Sequence, residues 1–481
     1  MARAAKNVMS FPMSEQARRL MRNRVLDTLH LLRPKVLRDA TSRQLFDWQV
    51  RLATGEMASP ADVAARQLER LKALAAFAAR EAPYWRERLH IQDIAAAQTL
   101  PEALAAIPVL TRADLRDHPG ALRSENLPPR TQLAPQRSSS GSTGMVVAVD
   151  TTNVAIVWQS VLTFRTQLWA GRDLEASIAV IRRYPKGKAE LPDGLIAPHW
   201  APPGVFPFPT GPAFHLTTLN NSIADQWDWL ARMQPTYLMT YPSVIRALAE
   251  RARALGRRLP SLKAITTVGE QVDPDLRAMA VRYLDAPISD IYSSEEAGVM
   301  ALQCPMCPSY HVQAEALILE VVDDDGLPCA PGEPGRVVVT PLHNYAMPLF
   351  RYEIGDYAEM GEPCACGRGL PVLTRILGRR RNMLVLPNGG KFWPSFGARA
   401  LQKIVPMREH QFRQIAPNVI EALLVTEAPV TPEQEEEMRG ILARGLPVPF
   451  DIQIRCVAEI PRPASGKHEE FVSLLDQRPT G

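Results

Sequence analysis

Between Ala176 and Leu284 the chain alternates short apolar runs with longer amphipathic stretches. Strand-like runs at Ala176–Ile181, Tyr237–Met239 and Ala264–Val268 are separated by helix-like segments near Ile223–Met233, Pro242–Leu255 and Pro274–Leu284. Strands joined through helices of about 10–15 residues do not form tight hairpins, and such alternation suggests that they run parallel. The alternation therefore predicts layered α/β architecture. Around it, residues 13–90 read as a helical opening, with Leu45, Trp48 and Leu52 at helical spacing and an Ala/Leu/Arg-rich run from Pro60 to Arg88. Residues 91–130 hold helix fragments broken by Pro101, Pro108, Pro119 and Pro128-Pro129. Asn153–Trp169 reads as a helix and 184–212 as an irregular Pro/Gly-rich excursion. Two strand-like runs between Leu317 and Thr340 flank the turn Asp323–Gly326. From about Gly378 a last segment mixes strands with one acidic helix near Pro432–Ala443.

At 481 residues the chain is long enough for two or three domains. A composition of 46% hydrophobic and 22% charged residues is that of an ordinary globular protein. The net charge of +4 is small and the arginines are scattered, which gives no support to a nucleic-acid partner. The basic start lacks the apolar core of a secretory signal, and no run of about 18 apolar residues predicts a membrane span. Six cysteines in such a length make no disulfide scaffold, so a reducing, cytoplasmic setting is the expectation. Oligomeric state is left open.

Five segments carry chemistry. Ser138-Ser139-Ser140-Gly141-Ser142-Thr143-Gly144 offers backbone amides and hydroxyls to an anion and runs into the strand-like Met145–Val149. No Lys-Ser/Thr follows Gly144, so it is not a Walker loop, and its alternative is a flexible linker. Gly269-Glu270 closes one strand, and Asp290-Ile291-Tyr292-Ser293-Ser294-Glu295-Glu296-Ala297-Gly298 pairs an aromatic ring with carboxylates able to hold magnesium. Its alternative is a strand-end turn leading into a capped helix. Asn344–Asp356 ends on a carboxylate held after a Gly turn, suited to a ribose diol or simply to a hairpin. Gly378-Arg379-Arg380-Arg381-Asn382 offers cations to phosphate, or a solvated face. Pro461–Lys467 presents a lysine on a glycine turn.

In this order the five segments resemble the phenylacetate–CoA ligase-like branch of the adenylate-forming enzymes, from about residue 45 to the end. The helical opening, Gln67–Leu71 through Ala82–Arg86, is similar too. The resemblance implies a large N-terminal domain of layered mixed sheets over 1–377 and a small mobile α+β lid over 378–481. It implies that Ser139, Ser140, Gly141, Ser142, Thr143 and Gly144 grip the β- and γ-phosphates of ATP. Gly269, Glu270, Asp290 and Tyr292 would frame the adenine. Glu296 would hold Mg²⁺, Asp356 would take the ribose hydroxyls, and Arg379 would assist at ribose or phosphate. Lys467 would bridge the carboxylate and the α-phosphate. Four positions depart from the branch: Arg381-Asn382 stand where acidic hinge residues are usual, Ser293 where a glycine is common, and Glu295 where Thr or Ser is common.

Cys304-x-x-Cys307, His311 and Cys364-x-Cys366 are spaced as Zn²⁺ ligands, the alternative being unpaired thiols in loops. Similar ligases carry cysteines and a histidine at these places, which implies a structural zinc knuckle within 304–366, with one donor of the five spare. The reaction so implied joins ATP and a small carboxylic acid into an acyl-adenylate, then forms a thioester on coenzyme A. Two alternatives stand beside it, an adenylating ligase serving an amine or a carrier-protein thiol, and a nucleotide-binding protein without turnover. The acid pocket is expected within 153–215, where Trp158, Phe164 and Trp169, with Tyr241 beyond, hint at an aromatic or extended apolar acid or else pack the core.

Overall fold

The structure, a computed structural model, describes residues 25–138, 147–201, 205–379, 382–392, 394, 396, 401, 403–426, 428–460 and 470–475. The loop residues Ser139, Ser140, Gly141, Ser142, Thr143 and Gly144, and Lys467, lie outside them. The chain divides into two units. The first holds the described residues to Ser138, Val147–Ile354 and Ala358–Arg375; the second holds Gly355–Tyr357 and the described residues from Ile376.

The opening is helical as expected. Helix α1 (Ala40–Gly55) starts where the Asp39 carboxylate accepts from the Ser42 amide, and α2 (Pro60–Glu81) where Ser59 accepts from Asp62. Each side chain supplies an acceptor that the first turn lacks. Strands β1 (Leu133–Ser138) and β2 (Ala148–Thr152) pair antiparallel, Arg137 opposite Val149. Of the strand expected over 145–149, Met145 and Val146 lie outside the described residues, and Ala148 and Val149 open β2, which runs on to Thr152. Helix α3 (Asn153–Trp169) has the expected bounds and is capped by Thr152.

Then follow β3 (Ile178–Arg182), β4 (Leu195–Ala197), β5 (Ala213–Thr217), α4 (Ile223–Met233), β6 (Tyr237–Thr240), α5 (Pro242–Leu255), β7 (Ala264–Val268), α6 (Pro274–Met279), β8 (Ile288–Ser294) and β9 (Gly298–Gln303). Next come β10 (Tyr310–Val312), β11 (Leu317–Val322), β12 (Pro334–Pro341), β13 (Tyr352–Gly361) and β14 (Val372–Arg379). Strands β3 to β14 make one sheet of 12, ordered β11-β12-β13-β14-β10-β9-β8-β7-β6-β3-β5-β4. The block β5-β3-β6-β7-β8 is parallel, as the alternation predicts, while β9, β10 and the β11–β12 hairpin pair antiparallel.

Period-two alternation in the parallel strands divides the core between the two faces of the sheet. Ala179, Ile181, Leu238 and Ile265 point toward α4 and α5, where they bury Trp227, Leu230, Ile245 and Leu248. On the α1–α3 side, Phe164, Leu168 and Trp169 pack with Leu45, Phe46 and Leu52. Two local readings change. The expected helix over 274–284 turns to π geometry for Ala280–Leu284 and stops at Asp285, at a φ of 54°. The 290–298 segment forms a β8–β9 hairpin, with no capped helix.

In the second unit, β15 (Leu384–Val385) pairs with β16 (Lys391–Phe392). There, β17 (Met407–Ala416), β18 (Val419–Thr426), β19 (Asp451–Cys456) and β20 (Phe471–Ser473) form a sheet ordered β19-β18-β17-β20. Helix α7 (Pro432–Arg444) buries Met438 and Leu442 in the cluster that holds Phe412, Ile420 and Leu424. Among the described residues no helix is long and apolar enough to cross a membrane.

The connection after α1 docks on the far end of the first unit. The Gly369 amide donates to the Glu56 carbonyl at 3.0 Å, and a Cβ on Gly369 would lie 1.9 Å from the Ala58 carbonyl oxygen. Gly369→Ala is therefore expected to cost about 2 kcal/mol or more in chemical denaturation, because both partners of the clash are backbone.

Candidate functional site

In a parallel sheet every strand delivers its following loop to the same edge. Here that edge receives Arg182-Arg183 after β3, Tyr241 after β6, Gly269-Glu270 after β7 and the β8–β9 turn carrying Glu295 and Glu296. Gly269 has a φ of 81°, a conformation in which any side chain is strained. The Glu270 carboxylate accepts from the Ser243 amide at 2.9 Å and its hydroxyl at 3.1 Å, at the start of α5. A carboxylate there complements the unpaired amides and the positive end of the helix.

Asp290 is buried in the sheet. Its oxygens accept from the Thr267 hydroxyl at 2.6 Å and the Tyr310 hydroxyl at 2.7 Å. Burial raises its pKa, opposed by those two bonds, and burial beside Asp290 likewise pushes the Tyr310 phenol up. Both carboxylate oxygens are engaged inside the sheet. Tyr292, also buried, stands opposite Ala301.

Glu296 borders a cleft of about 490 Å³, open mouth included, together with Arg137, Trp158, Gln159, Gly298, His343 and others. Its wall is a flat stack of the Trp158 and His343 rings, 4.1 Å apart and 9° from parallel. The Trp48 ring meets Trp158 at 4.9 Å, tilted by 58°. His343 Nε2 lies 2.9 Å from the Glu315 carbonyl, which only accepts, so Nε2 carries the proton and Nδ1 is a bare acceptor. Burial pulls the His343 pKa down to about 4. Arg137, next to the hydroxyl-rich loop, donates to Gln159.

Of the four aromatic residues singled out from the sequence, Trp158 alone borders this cleft. Phe164 meets Phe206 and Phe208 in the core. The Trp169 indole donates to Glu56 at 3.0 Å, and the Tyr241 hydroxyl accepts from the Arg183 amide at 3.4 Å. Asp356 and Arg379 both fall in the second unit, with Nε 3.5 Å from the carboxylate. The unusual Asn382 accepts from the Arg379 amide and donates to the Phe471 carbonyl, closing the end of β14 on its own unit.

The cysteines converge. The ligand atoms of Cys304, His311, Cys364 and Cys366 all lie within 4.8 Å of one another. Cys304 and Cys364 sulfurs are 3.9 Å apart, and Cys366 is 3.2 Å from His311 Nε2. Tetrahedral bonds of about 2.3 Å require sulfurs about 3.8 Å apart, so this donor set fits Zn²⁺. Cys307, 3.5 Å from Cys364, stands outside the mutual set of four. Thiols of Cys304 and Cys364 directed at Cys366, with His311 beside it, hold the Cys366 thiol far below its usual range.

Beside the cluster lies a buried ion network that sequence reasoning missed. Arg165 on α3 donates to Glu56 and Glu315 at 3.0 Å and to Gln313 at 3.0 Å, while Arg368, two residues past Cys366, reaches the other Glu56 oxygen at 3.1 Å. The Arg368 guanidinium also covers the Trp169 ring at 4.2 Å. Burial opposes the Arg165 charge, yet Glu315 and Glu56 outweigh it and hold the guanidinium protonated. One sequence signal was present: Arg165 is the sole charged residue of the 17-residue helix Asn153–Trp169.

Residues 208–343 match the family model described as AMP-binding enzyme. Over 342 residues the chain is 28% identical to a phenylacetate-coenzyme A ligase of Thermus thermophilus, covering 67% of this chain and 71% of that one. Its fold is similar to a crystal structure of 2-hydroxyisobutyryl-CoA ligase in the postadenylation state with 2-HIB-AMP. There the TM-score is 0.65 at 18% identity, covering 85% of this chain and 89% of that one. An anthranilate CoA ligase in complex with anthranoyl-AMP is similar at a TM-score of 0.51 and 16% identity, covering 70% and 64%.

Two expectations follow. Glu56→Ala leaves Arg165 and Arg368 buried without their shared carboxylate and should cost about 3–5 kcal/mol in denaturant unfolding. His343 is kept neutral by the fold, so its depressed pKa favours the folded state above about 6.5 and that contribution is lost as pH falls toward about 4. Denaturation measured across this window should show a loss of about 2–3 kcal/mol that His343→Phe lacks.

Proposed function

We propose that this chain, which carries the fold and the AMP-binding segment of the adenylate-forming superfamily, activates a small carboxylic acid with ATP and passes the acyl group to coenzyme A. The observation that carries the reading is the edge where Gly269-Glu270 and the Glu296 turn leave adjacent parallel strands, inside the matched segment 208–343. In the first step a carboxylate oxygen attacks the α-phosphorus, the bond to the β-phosphate breaks, and pyrophosphate leaves. In the second a thiolate attacks the acyl carbon and AMP leaves. Both transition states gather negative charge, which fixed cations and backbone amides offset.

Roles follow the resemblance. Ser139–Gly144 hold the β- and γ-phosphates, Gly269, Glu270, Asp290 and Tyr292 the adenine side, Asp356 and Arg379 the ribose, and Lys467 the α-phosphate. Asp290 acts on that side from inside the sheet, through Thr267 and Tyr310, by fixing β8 against β7 and β10. Glu296 would hold Mg²⁺, which supplies charge neutralisation to the phosphates when bound. Residues 1–377 form the ATP- and acid-binding domain in this reading, and 378–481 the lid. Trp158 and His343 give the acid a flat apolar wall with one hydrogen-bond acceptor, which favours a planar or short acid carrying a donor.

Zn²⁺ would be held by Cys304, His311, Cys364 and Cys366, and its role is structural: with four protein ligands it has no open position for substrate. It staples the β9–β10 turn to the loop before β14. Elemental analysis of purified protein should give about one zinc per chain, and Cys366→Ser should lose the metal and unfold at lower denaturant.

Acid-dependent exchange of pyrophosphate into ATP, read over a panel of aryl and short-chain acids, tests the first step. Lys467→Ala should lower it by about 100-fold or more. Absence of exchange with every acid would leave a nucleotide-binding protein without turnover. Exchange followed by transfer to an amine, with none to coenzyme A, would select the other acceptor class.

A further inference from the structure

The parallel block has a topological switch. From β3 the chain runs outward through β4 to β5, crosses back over α4 to β6 on the other side of β3, and from β6 proceeds the opposite way to β7 and β8. Loops leaving β3 and β6 therefore set out in opposite senses from adjacent strands, the topological position at which open α/β sheets take ligands beyond the carboxyl ends of their strands. The loop that leaves β3 there reads Arg182-Arg183-Tyr184-Pro185-Lys186-Gly187-Lys188, four cations in seven residues with no acid among them. All four cations are exposed. Among the described residues, Arg182, Lys186 and Lys188 have no carboxylate within ion-pair distance.

The loop is held in place by its backbone and its tyrosine. Thr218 donates to the Arg182 carbonyl at 2.9 Å, and the Arg183 amide donates to the Tyr241 hydroxyl at 3.4 Å. The Tyr184 hydroxyl meets His215 Nδ1 at 2.7 Å, and its amide donates to Thr217. The Gly187 amide donates to Glu190 at 2.8 Å and the Lys188 amide to the Pro185 carbonyl at 3.1 Å. An anchored backbone that carries Arg182, Lys186 and Lys188 without carboxylate partners, at a topological switch, suits a phosphate group, and the like charges repel one another unless an anion is bound.

We propose that the 182–188 loop docks the phosphorylated nucleotide head of the acyl acceptor, the 3′-phospho-ADP portion of coenzyme A. That head carries about four negative charges at neutral pH, a phosphomonoester besides a diphosphate, and so suits a loop with Arg182, Lys186 and Lys188 exposed and without carboxylate partners. ATP is the weaker match, since its phosphates have the Ser138–Gly144 segment, Lys467 and Glu296 assigned to them. This inference rests on the acid–CoA ligase reading above, and it makes the acceptor legible in the first unit alone.

Direct titration of the full chain with coenzyme A, 3′-dephospho-coenzyme A and pantetheine tests it without knowledge of the acid. Coenzyme A should bind about tenfold more tightly than its dephospho form, and less tightly as salt rises. In Lys186→Glu/Lys188→Glu that preference should collapse, while Lys186→Arg/Lys188→Arg keeps it. Circular dichroism of both variants checks folding, and both positions are exposed. Equal affinities for the two forms, or a preference unchanged by the charge reversal, would overturn the assignment. So would transfer to a phosphopantetheinylated carrier protein by a chain that does not bind coenzyme A. Pyrophosphate exchange on the unmodified chain is read in parallel, and its absence sinks the adenylation reading. Exchange without any coenzyme A binding sinks coenzyme A as acceptor, and exchange with coenzyme A binding that ignores the 3′-phosphate or the charge reversal sinks only the docking loop.

Discussion

Glu56 is the carboxylate on which the first unit turns. It directly follows α1 and is almost wholly buried, where an isolated charge would not survive. It is tolerated because Arg165, Arg368 and the Trp169 indole close around it, and because Glu315 balances the second guanidinium. Two acids and two arginines leave no net charge in the interior, and each donor is matched in direction as well as sign. Through these bonds four segments far apart in the chain meet: the end of α1, the middle of α3, the turn after β10 and the loop after Cys366.

The sites inherit their geometry from that junction. Trp158, which walls the cleft, rides on the same helix as Arg165, about two turns away. His343 leans on Trp158 and donates to the backbone of Glu315, a member of the network. Arg368 links the network to the cysteine cluster, so the Cys/His cluster and the cleft share one support. At the other side of the sheet the parallel strands set a second constraint, the common edge on which Gly269, Glu270, Glu296 and the basic 182–188 loop emerge. The chemistry in this molecule belongs to these two devices together.

Much of the fold could be read from the chain because its elements announce themselves locally. The helix Asn153–Trp169 and the strand Ala264–Val268 have the expected bounds, since a capping threonine and a β-branched run specify them without help from distant residues. Where neighbours decide, the reading slipped. The 290–298 segment has good helix-capping residues but pairs as a hairpin, because β9 fills the place beside β8. Among the site residues, Glu296 borders the cleft and Cys304, His311, Cys364 and Cys366 converge, whereas Asp290 is turned into the sheet.

The sequence by itself determined the alternation that points to a parallel sheet, the order of the five polar segments and the spacing of the cysteines and His311. All of these are properties of neighbours along the chain. Only the tertiary structure decided which four of five donors stand mutually close, which one of four rings walls the cleft, and that Arg165 and Glu56 share a bond across more than a hundred residues. Those are distances between segments joined by long connections. They depend on how whole layers pack, and no local pattern of residues encodes them.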